Sequence, residues 1–170
     1  MSWELITTAT QTVSGTYLTA NFTNVPFTDV AFFAIVMNGK AGDSGQGSNF
    51  RIGNSSGVST ASAYDMESFI ISGGTSAAVS YYQAANQVRF PFLAMPVNES
   101  YTSSIIYLGS DFHNNDKPLC FWKASSQEMT VEGSGWLDVI LTDFGEIKWE
   151  AEAGNIDAGS YMSVYKVLSS

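Results

Sequence analysis

Gly154-Asn155-Ile156-Asp157-Ala158-Gly159-Ser160-Tyr161-Met162-Ser163-Val164-Tyr165-Lys166-Val167 is the stretch from which the fold is read. A turn built on Gly154 and Gly159 feeds a run that alternates in character. Tyr161, Ser163, Tyr165 and Val167 fall on one side, and Met162, Val164 and Lys166 on the other. Successive side chains of a strand point to opposite faces, so this alternation bounded by glycines predicts a half-buried β-strand. Three residues follow Val167. The run therefore predicts a compact domain whose last strand is paired into a sheet, with Tyr161, Tyr165 and Val167 packed against the core.

Composition points the same way. A chain of 170 residues, 45% of them hydrophobic, is expected to form a single domain over residues 1–170 with a full core. Only 14% of residues are charged, against about 25% in ordinary globular proteins. Serine and threonine, about a fifth of the chain, take up the missing surface. Threonine, glycine-bounded runs and aromatics suit a pleated sheet, while Glu, Lys and Leu are scarce. The fold class expected is all-β, an antiparallel two-sheet sandwich of jelly-roll-like form.

Working outward, strands are predicted at Trp3–Thr8, Thr16–Phe22, Val30–Met37, Tyr64–Ser72, Ala77–Gln83 and Gln87–Met95. Others are predicted at Ile105–Leu108, Leu119–Trp122, Glu128–Val131, Trp136–Leu141 and Ile147–Ala151. Val30–Met37 is continuously apolar, as a strand covered on both faces would be. Turns are expected at Asn24-Val25-Pro26 and Asn38-Gly39, and glycine-rich loops at 38–48 and 53–62. Pro91 and Pro96 place their segment at an edge or bulge, because proline cannot donate to a ladder. Ala77–Ala85 is the best helical candidate, but it contains Val and paired Tyr and lacks caps. No repeat or linker divides the chain. Short strands with frequent turns imply a sandwich or jelly roll.

The net charge is −9, and the seven Lys and Arg stand singly at Lys40, Arg51, Arg89, Lys117, Lys123, Lys148 and Lys166. Binding nucleic acid needs clustered cations, and an anionic membrane surface repels an acidic protein, so neither is expected as a partner. Met1-Ser2-Trp3-Glu4-Leu5-Ile6 is not a signal peptide, and no stretch approaches the ~20 apolar residues of a membrane span. Synthesis in a cytoplasm follows, so the Asn-x-Ser/Thr sequences at Asn21, Asn54 and Asn98 are read as chance. The lone Cys120, among apolar neighbours, reads as a buried small hydrophobe.

Catalytic inventory is thin. Gly42-Asp43-Ser44-Gly45 resembles a protease nucleophile loop, but the one histidine, His113, follows the serine instead of preceding it. Asp111, His113 and Asp116 concentrate oxygen and nitrogen donors that could hold calcium in a loop; a polar turn is the plainer reading. Zinc would need more His and Cys than this chain has. Asp138 with Asp143, and Glu150 with Glu152, are acid pairs of the kind glycoside hydrolysis uses, but read more simply as solvated edges. No enzyme, no cofactor and no metal are expected. Trp3, Tyr64, Tyr81, Tyr82, Tyr101, Tyr107, Trp122, Trp136, Trp149 and Tyr165 could supply sugar-stacking rings, though rings more often serve core or interface.

Two regions carry a resemblance. Trp3-Glu4-Leu5-Ile6 followed by Phe22-Thr23-Asn24-Val25-Pro26 is similar to the opening strand and F-x-x-[IV]-P turn of small β-sandwich virion structural proteins of tailed bacteriophages. These include capsid decoration or cement, head-fibre and tail-fibre components. Ile147 through Gly159-Ser160 to Val164-Tyr165-Lys166-Val167 resembles their closing G-x-[IF]-x-x-G-S-x-x-x-[LV]-Y-G-[IV], with Lys166 where that group has glycine. The resemblance covers about a third of the chain. It implies a sandwich fold and a non-enzymatic virion role, and assigns no binding residue. With the first strand starting at Trp3 and no attachment segment ahead of it, a decoration protein outside the major capsid lattice is the form expected. Such proteins resemble trimers more often than monomers, and a homotrimer would bury exposed aromatics at its contacts. The location implied is the virion capsid surface, after synthesis in the host cytoplasm. The alternative is a carbohydrate- or receptor-binding module of a tail fibre or lectin, recognising a cell-surface glycan.

Overall fold

The computed structural model describes residues 1–40, 48–58, 64–72, 76–85, 88–90, 102–111, 117–125, 129–137, 140–151 and 154–168. Of these, 64–72, 76–85, 88–90, 110, 111 and 129 are described by backbone alone. The chain forms thirteen described strands and one turn of 3₁₀ helix at Phe27–Asp29.

In order the strands are β1 (Ser2–Thr10), β2 (Tyr17–Pro26), β3 (Phe32–Gly39), β4 (Ser48–Asn54), β5 (Gly57–Val58), β6 (Tyr64–Ser72) and β7 (Ser76–Ala85). Then come β8 (Val88–Phe90), β9 (Thr102–Asp111), β10 (Lys117–Ser125), β11 (Met129–Leu137), β12 (Asp143–Ala151) and β13 (Tyr161–Leu168). Eight form a large sheet in the order β1-β13-β3-β9-β10-β11-β6-β7. The small sheet runs β2-β12-β4-β5, with β8 also pairing β4. Every pairing is antiparallel. The two ends of the chain wrap on each other in jelly-roll fashion: β1 pairs β13 in one sheet while β2 pairs β12 in the other.

Both sheets turn their apolar sides to one core. Phe33, Ile35, Met37, Ile106, Leu108, Trp122, Met162 and Val164 come from the large sheet. Leu18, Phe50, Ile52, Phe144, Ile147 and Trp149 come from the small one. Phe33 meets Phe144 with ring centroids 4.9 Å apart, and Phe50 meets Trp122 at 6.3 Å, both steeply inclined. Edge-to-face pairs like these add about 0.5–1.5 kcal/mol each beyond the area they bury.

The closing segment is a strand, and its glycines do make the turn: Gly154 has φ 71° and Gly159 φ 89°. Its core-facing side differs from expectation. Met162 and Val164 are fully buried in the core, whereas Tyr161 is exposed and Tyr165 half-buried on the opposite face. Val167 is buried on that outer face too, by its neighbours there. The reason is topological. In the β13–β3 ladder Met162 stands opposite Met37 and Val164 opposite Ile35, both core residues, so that side of the strand is the one that meets the small sheet.

Other boundaries also shift. β2 continues through Asn24-Val25-Pro26, which pairs with β12 as far as Pro26 opposite Asp143. The two strands expected at Glu128–Val131 and Trp136–Leu141 are one strand, β11, ending at Leu137. It runs through Gly133 and Gly135, which lie directly across from Trp122 and Cys120. β4 (Ser48–Asn54) is not among the expected strands; it lies between the two stretches expected as loops and takes in one end of each, at 48 and at 53–54. Ala77–Ala85 lies wholly within β7. The loop expected at 38–48 is described only at 38–40 and 48, of which 38, 39 and 48 are strand; 41–47 lie outside the described residues, as do Pro91 and Pro96.

Candidate functional site

The register of six adjacent strands assembles a surface on the side of the large sheet away from the core. Residues directly opposite in an antiparallel pair share a face, so the ladders define rows. One row runs Leu5, Tyr165, Ala34, Tyr107, Phe121, Ser134 across β1, β13, β3, β9, β10 and β11. A second, nearer one end of the strands, brings Trp3 opposite Val167, Val167 opposite Phe32, Gly109 opposite Leu119 and Leu119 opposite Trp136. Both rows are apolar and rich in rings.

The rings touch within and between the rows. Trp3 meets Tyr165 at 5.8 Å, Phe32 meets Tyr107 at 5.6 Å, and Tyr107 stacks on Phe121 at 6.4 Å. Ala34, beneath Tyr107 and Tyr165 in register, is fully buried, while Trp3, Leu5, Leu119, Phe121 and Trp136 stand exposed. Large exposed rings gathered on one face are the informative departure from a normal surface, because single scattered apolar residues are common.

The next two rows mix Val36, Ile105 and Tyr161 with polar residues that are tied down. Thr8 Oγ1 and Ser163 Oγ lie 2.9 Å apart, and Asn38 Nδ2 donates to Ser103 Oγ at 2.7 Å. Lys123 and Glu132 sit opposite one another and form an ion pair. They are the charged residues of these four rows over the six strands; one strand further, the β6 ladder sets Asp65 opposite Trp136 and Glu67 opposite Ser134. Val36, Ile105, Ser103, Ser104, Ser125 and Lys123 line a shallow hollow of about 300 Å³ there.

The small sheet's outer side is of another kind. Glu150 takes Arg51 Nη1 at 3.2 Å and Lys148 Nζ at 2.7 Å, and Lys148 lies 4.5 Å from the centre of the Tyr17 ring. Burial raises the Glu146 carboxyl above its ordinary value, with nearby Lys148 pulling it down. Partnered charges of this sort hold a polar face in place.

Of the residues singled out from sequence, Trp3, Tyr107, Trp136 and Tyr165 come together on the outer face. Trp122 and Trp149 are fully buried instead. Cys120 is buried, and burial pushes its thiol up to about 12, which keeps it protonated and unreactive. Asp111 ends β9, but its side chain, His113 and Asp116 lie outside the described residues. So do Gly42-Asp43-Ser44-Gly45, Asp138, Glu152 and the side chains of Tyr64, Tyr81, Tyr82 and Tyr101. Asp143 opens β12 beside Pro26, and Glu150 is the ion-paired residue just described. Among the described residues, no three His, Cys, Asp or Glu are grouped as metal ligands.

Leu5, Phe32, Leu119 and Phe121 complete the surface and were not singled out. Their signal was present: Leu119-Cys120-Phe121-Trp122 is apolar on both faces of its strand, whereas a strand with one solvated face alternates. Compared with known families, curated proteins and solved structures, the chain matches none.

Proposed function

We propose that this protein is a non-enzymatic structural component of a bacteriophage virion, a decoration protein on the outside of the major capsid lattice that assembles as a homotrimer. The observation that carries the reading is the pair of ring-rich rows on the outer face of the large sheet. Interface cores are depleted of charge and enriched in Trp, Tyr, Phe and Met, and the two rows from Trp3 to Trp136 and from Leu5 to Ser134 have that composition. The terminal motifs, which resemble those of phage sandwich proteins, supply the virion context. Such a protein works by adhesion: what it contributes is surface that other protein covers.

Mass spectrometry of purified particles tests it. Many copies per head support the reading, a handful per particle moves the protein to the tail, and complete absence overturns it.

A second reading, a glycan- or receptor-binding module, draws on the hollow beside the ring rows, where hydroxyls of Ser103 and Ser125 and the Lys123 ammonium adjoin Val36 and Ile105. Apolar surface with a few convergent polar groups is the usual form of a small-ligand site. A glycan array without signal removes that reading and leaves the first intact.

A further inference from the structure

The polar outer side of the small sheet is built unlike an ordinary solvated face. Tyr17, Glu150 and Asn49 stand in one row across β2, β12 and β4, with Thr19, Lys148 and Arg51 in the next. The first row descends inward. Tyr17 is 54% exposed at the sheet edge, the Glu150 side chain 18%, and Asn49, two strand spacings or about 10 Å from Tyr17, only 3%. Gly53 follows Arg51 on the same side of β4, and a Cβ there would fall on the Gly57 carbonyl and on Val58. β5 therefore walls one end of the rows.

Polar groups here lie below the surface without being fully satisfied. Asn49 Oδ1 is buried and accepts no hydrogen bond from the described residues. Glu150 stands opposite it, and its Oε2 is buried too. Arg51 Nη1 lies 3.2 Å from that oxygen as an ion-pair partner, without the geometry of a hydrogen bond. A buried acceptor that lacks a donor destabilises a fold. Two side by side mark a place where another molecule supplies the donors.

Chemistry narrows that molecule. Arg51 and Lys148 already share Glu150, so a simple anion would compete with this carboxylate for both cations. A cation would meet the same two charges, with Arg89 set opposite Asn49 at the inner end. The row offers acceptor oxygens that need donors, the donating Lys148 ammonium and an exposed ring. A hydroxyl donates and accepts at once. A sugar carries several hydroxyls beside an apolar C–H face of the kind that packs on an aromatic ring.

We infer that a saccharide binds along this row, its C–H face on Tyr17 and its hydroxyls on Lys148, Glu150 and, once the side chains over it part, Asn49 Oδ1. The site lies on the other sheet from the ring rows and from the hollow beside them, and it depends on neither reading above.

Saturation-transfer NMR on the full chain tests the site. Glucose, galactose, N-acetylglucosamine and N-acetylneuraminic acid serve as probes at about 10 mM, tenfold above a millimolar Kd. At least one is expected to receive saturation from the wild-type protein. Tyr17→Ala and Asn49→Ala are each expected to abolish the transfer. Asn49→Ala should do so without lowering the melting temperature, because it removes an acceptor that has no donor. A purely structural asparagine would not give that combination. Lys123→Ala alters the hollow of the large sheet and is expected to leave the transfer unchanged. No transfer from any of these sugars overturns the inference. So does transfer that survives either substitution in the row, or that disappears with Lys123→Ala. Particles that lack the protein sink the virion reading and leave this site standing.

Discussion

Gly159 and Ser160 show how much one turn can hold. The Gly159 amide donates to the Gln11 carbonyl at 2.7 Å, and the Gln11 amide donates back to the Ser160 carbonyl at 2.8 Å. The buried Ser160 Oγ accepts from the Lys40 amide at 3.2 Å, so the turn before β13 grips the ends of both β1 and β3. Gly159→Ala is expected to cost about 1–2 kcal/mol from the left-handed backbone alone, since its Cβ would meet nothing within 4 Å. Gly39→Ala is expected to cost more, because a Cβ there falls on the Ser160 side chain and backbone. Thermal unfolding of both variants checks the order. Glu146 supplies a pH test. Burial raises its folded pKa above that of the unfolded chain, so the folded protein binds the proton more tightly and the ionised carboxylate costs stability. That cost is present above the raised pKa and vanishes as pH falls below the ordinary glutamate value of about 4.3. Glu146→Gln should therefore unfold at a higher temperature than wild type at neutral pH, and at the same temperature near pH 3. Equal melting temperatures at both pH values would refute this account of Glu146.

At the scale of elements, β4 is the instructive case. Ser48-Asn49-Phe50-Arg51-Ile52-Gly53-Asn54 has two large apolar residues among glycine, asparagine and charge, and its surroundings read as loop. It is nevertheless an interior strand of the small sheet, with Phe50 fully buried and Ile52 nearly so. What stabilises it comes from its neighbours: β12 supplies a six-residue ladder, and Trp149 Nε1 donates to the buried Ser48 Oγ at 2.9 Å. Trp149→Phe keeps most of the apolar volume but strands that hydroxyl, and a loss of about 1–3 kcal/mol is expected by denaturant titration. β11 teaches the same lesson from the other side. Gly133 and Gly135 weaken a strand in isolation, yet they lie opposite Trp122 and Cys120 in a ladder that continues through both. By contrast β3, β6, β10 and β13 were legible, because each carries enough β-branched and aromatic residues in a short run to declare itself.

At the scale of the whole molecule, the two sheets place their charges and rings on opposite outer faces. Arg51, Lys148 and Glu150 lie on one, and Trp3, Tyr165, Tyr107, Phe121 and Trp136 on the other. The second face is the one expected to be covered in the assembled particle, so protein on particles should shield Trp3 and Trp136 from quenchers that reach them in the free chain, where both are exposed. Fully accessible tryptophans on particles would contradict that. All-β class, strand alternation at residues 161–167, the glycine turn and the inert character of Cys120 were determined by the sequence itself, since each depends on local propensity, period or immediate neighbours. Which side of β13 meets the core, that 48–54 is a strand, and that Leu5, Leu119 and Phe121 join Trp3 and Trp136 on one face were decided only by the tertiary structure. The physical reason is that a period-two pattern states which residues share a side but never which side is covered. That choice belongs to strand order and register, which residues far apart in the chain settle together. The closing strand from Tyr161 to Leu168 pairs with β1 at the other end of the chain and with β3 over 120 residues earlier.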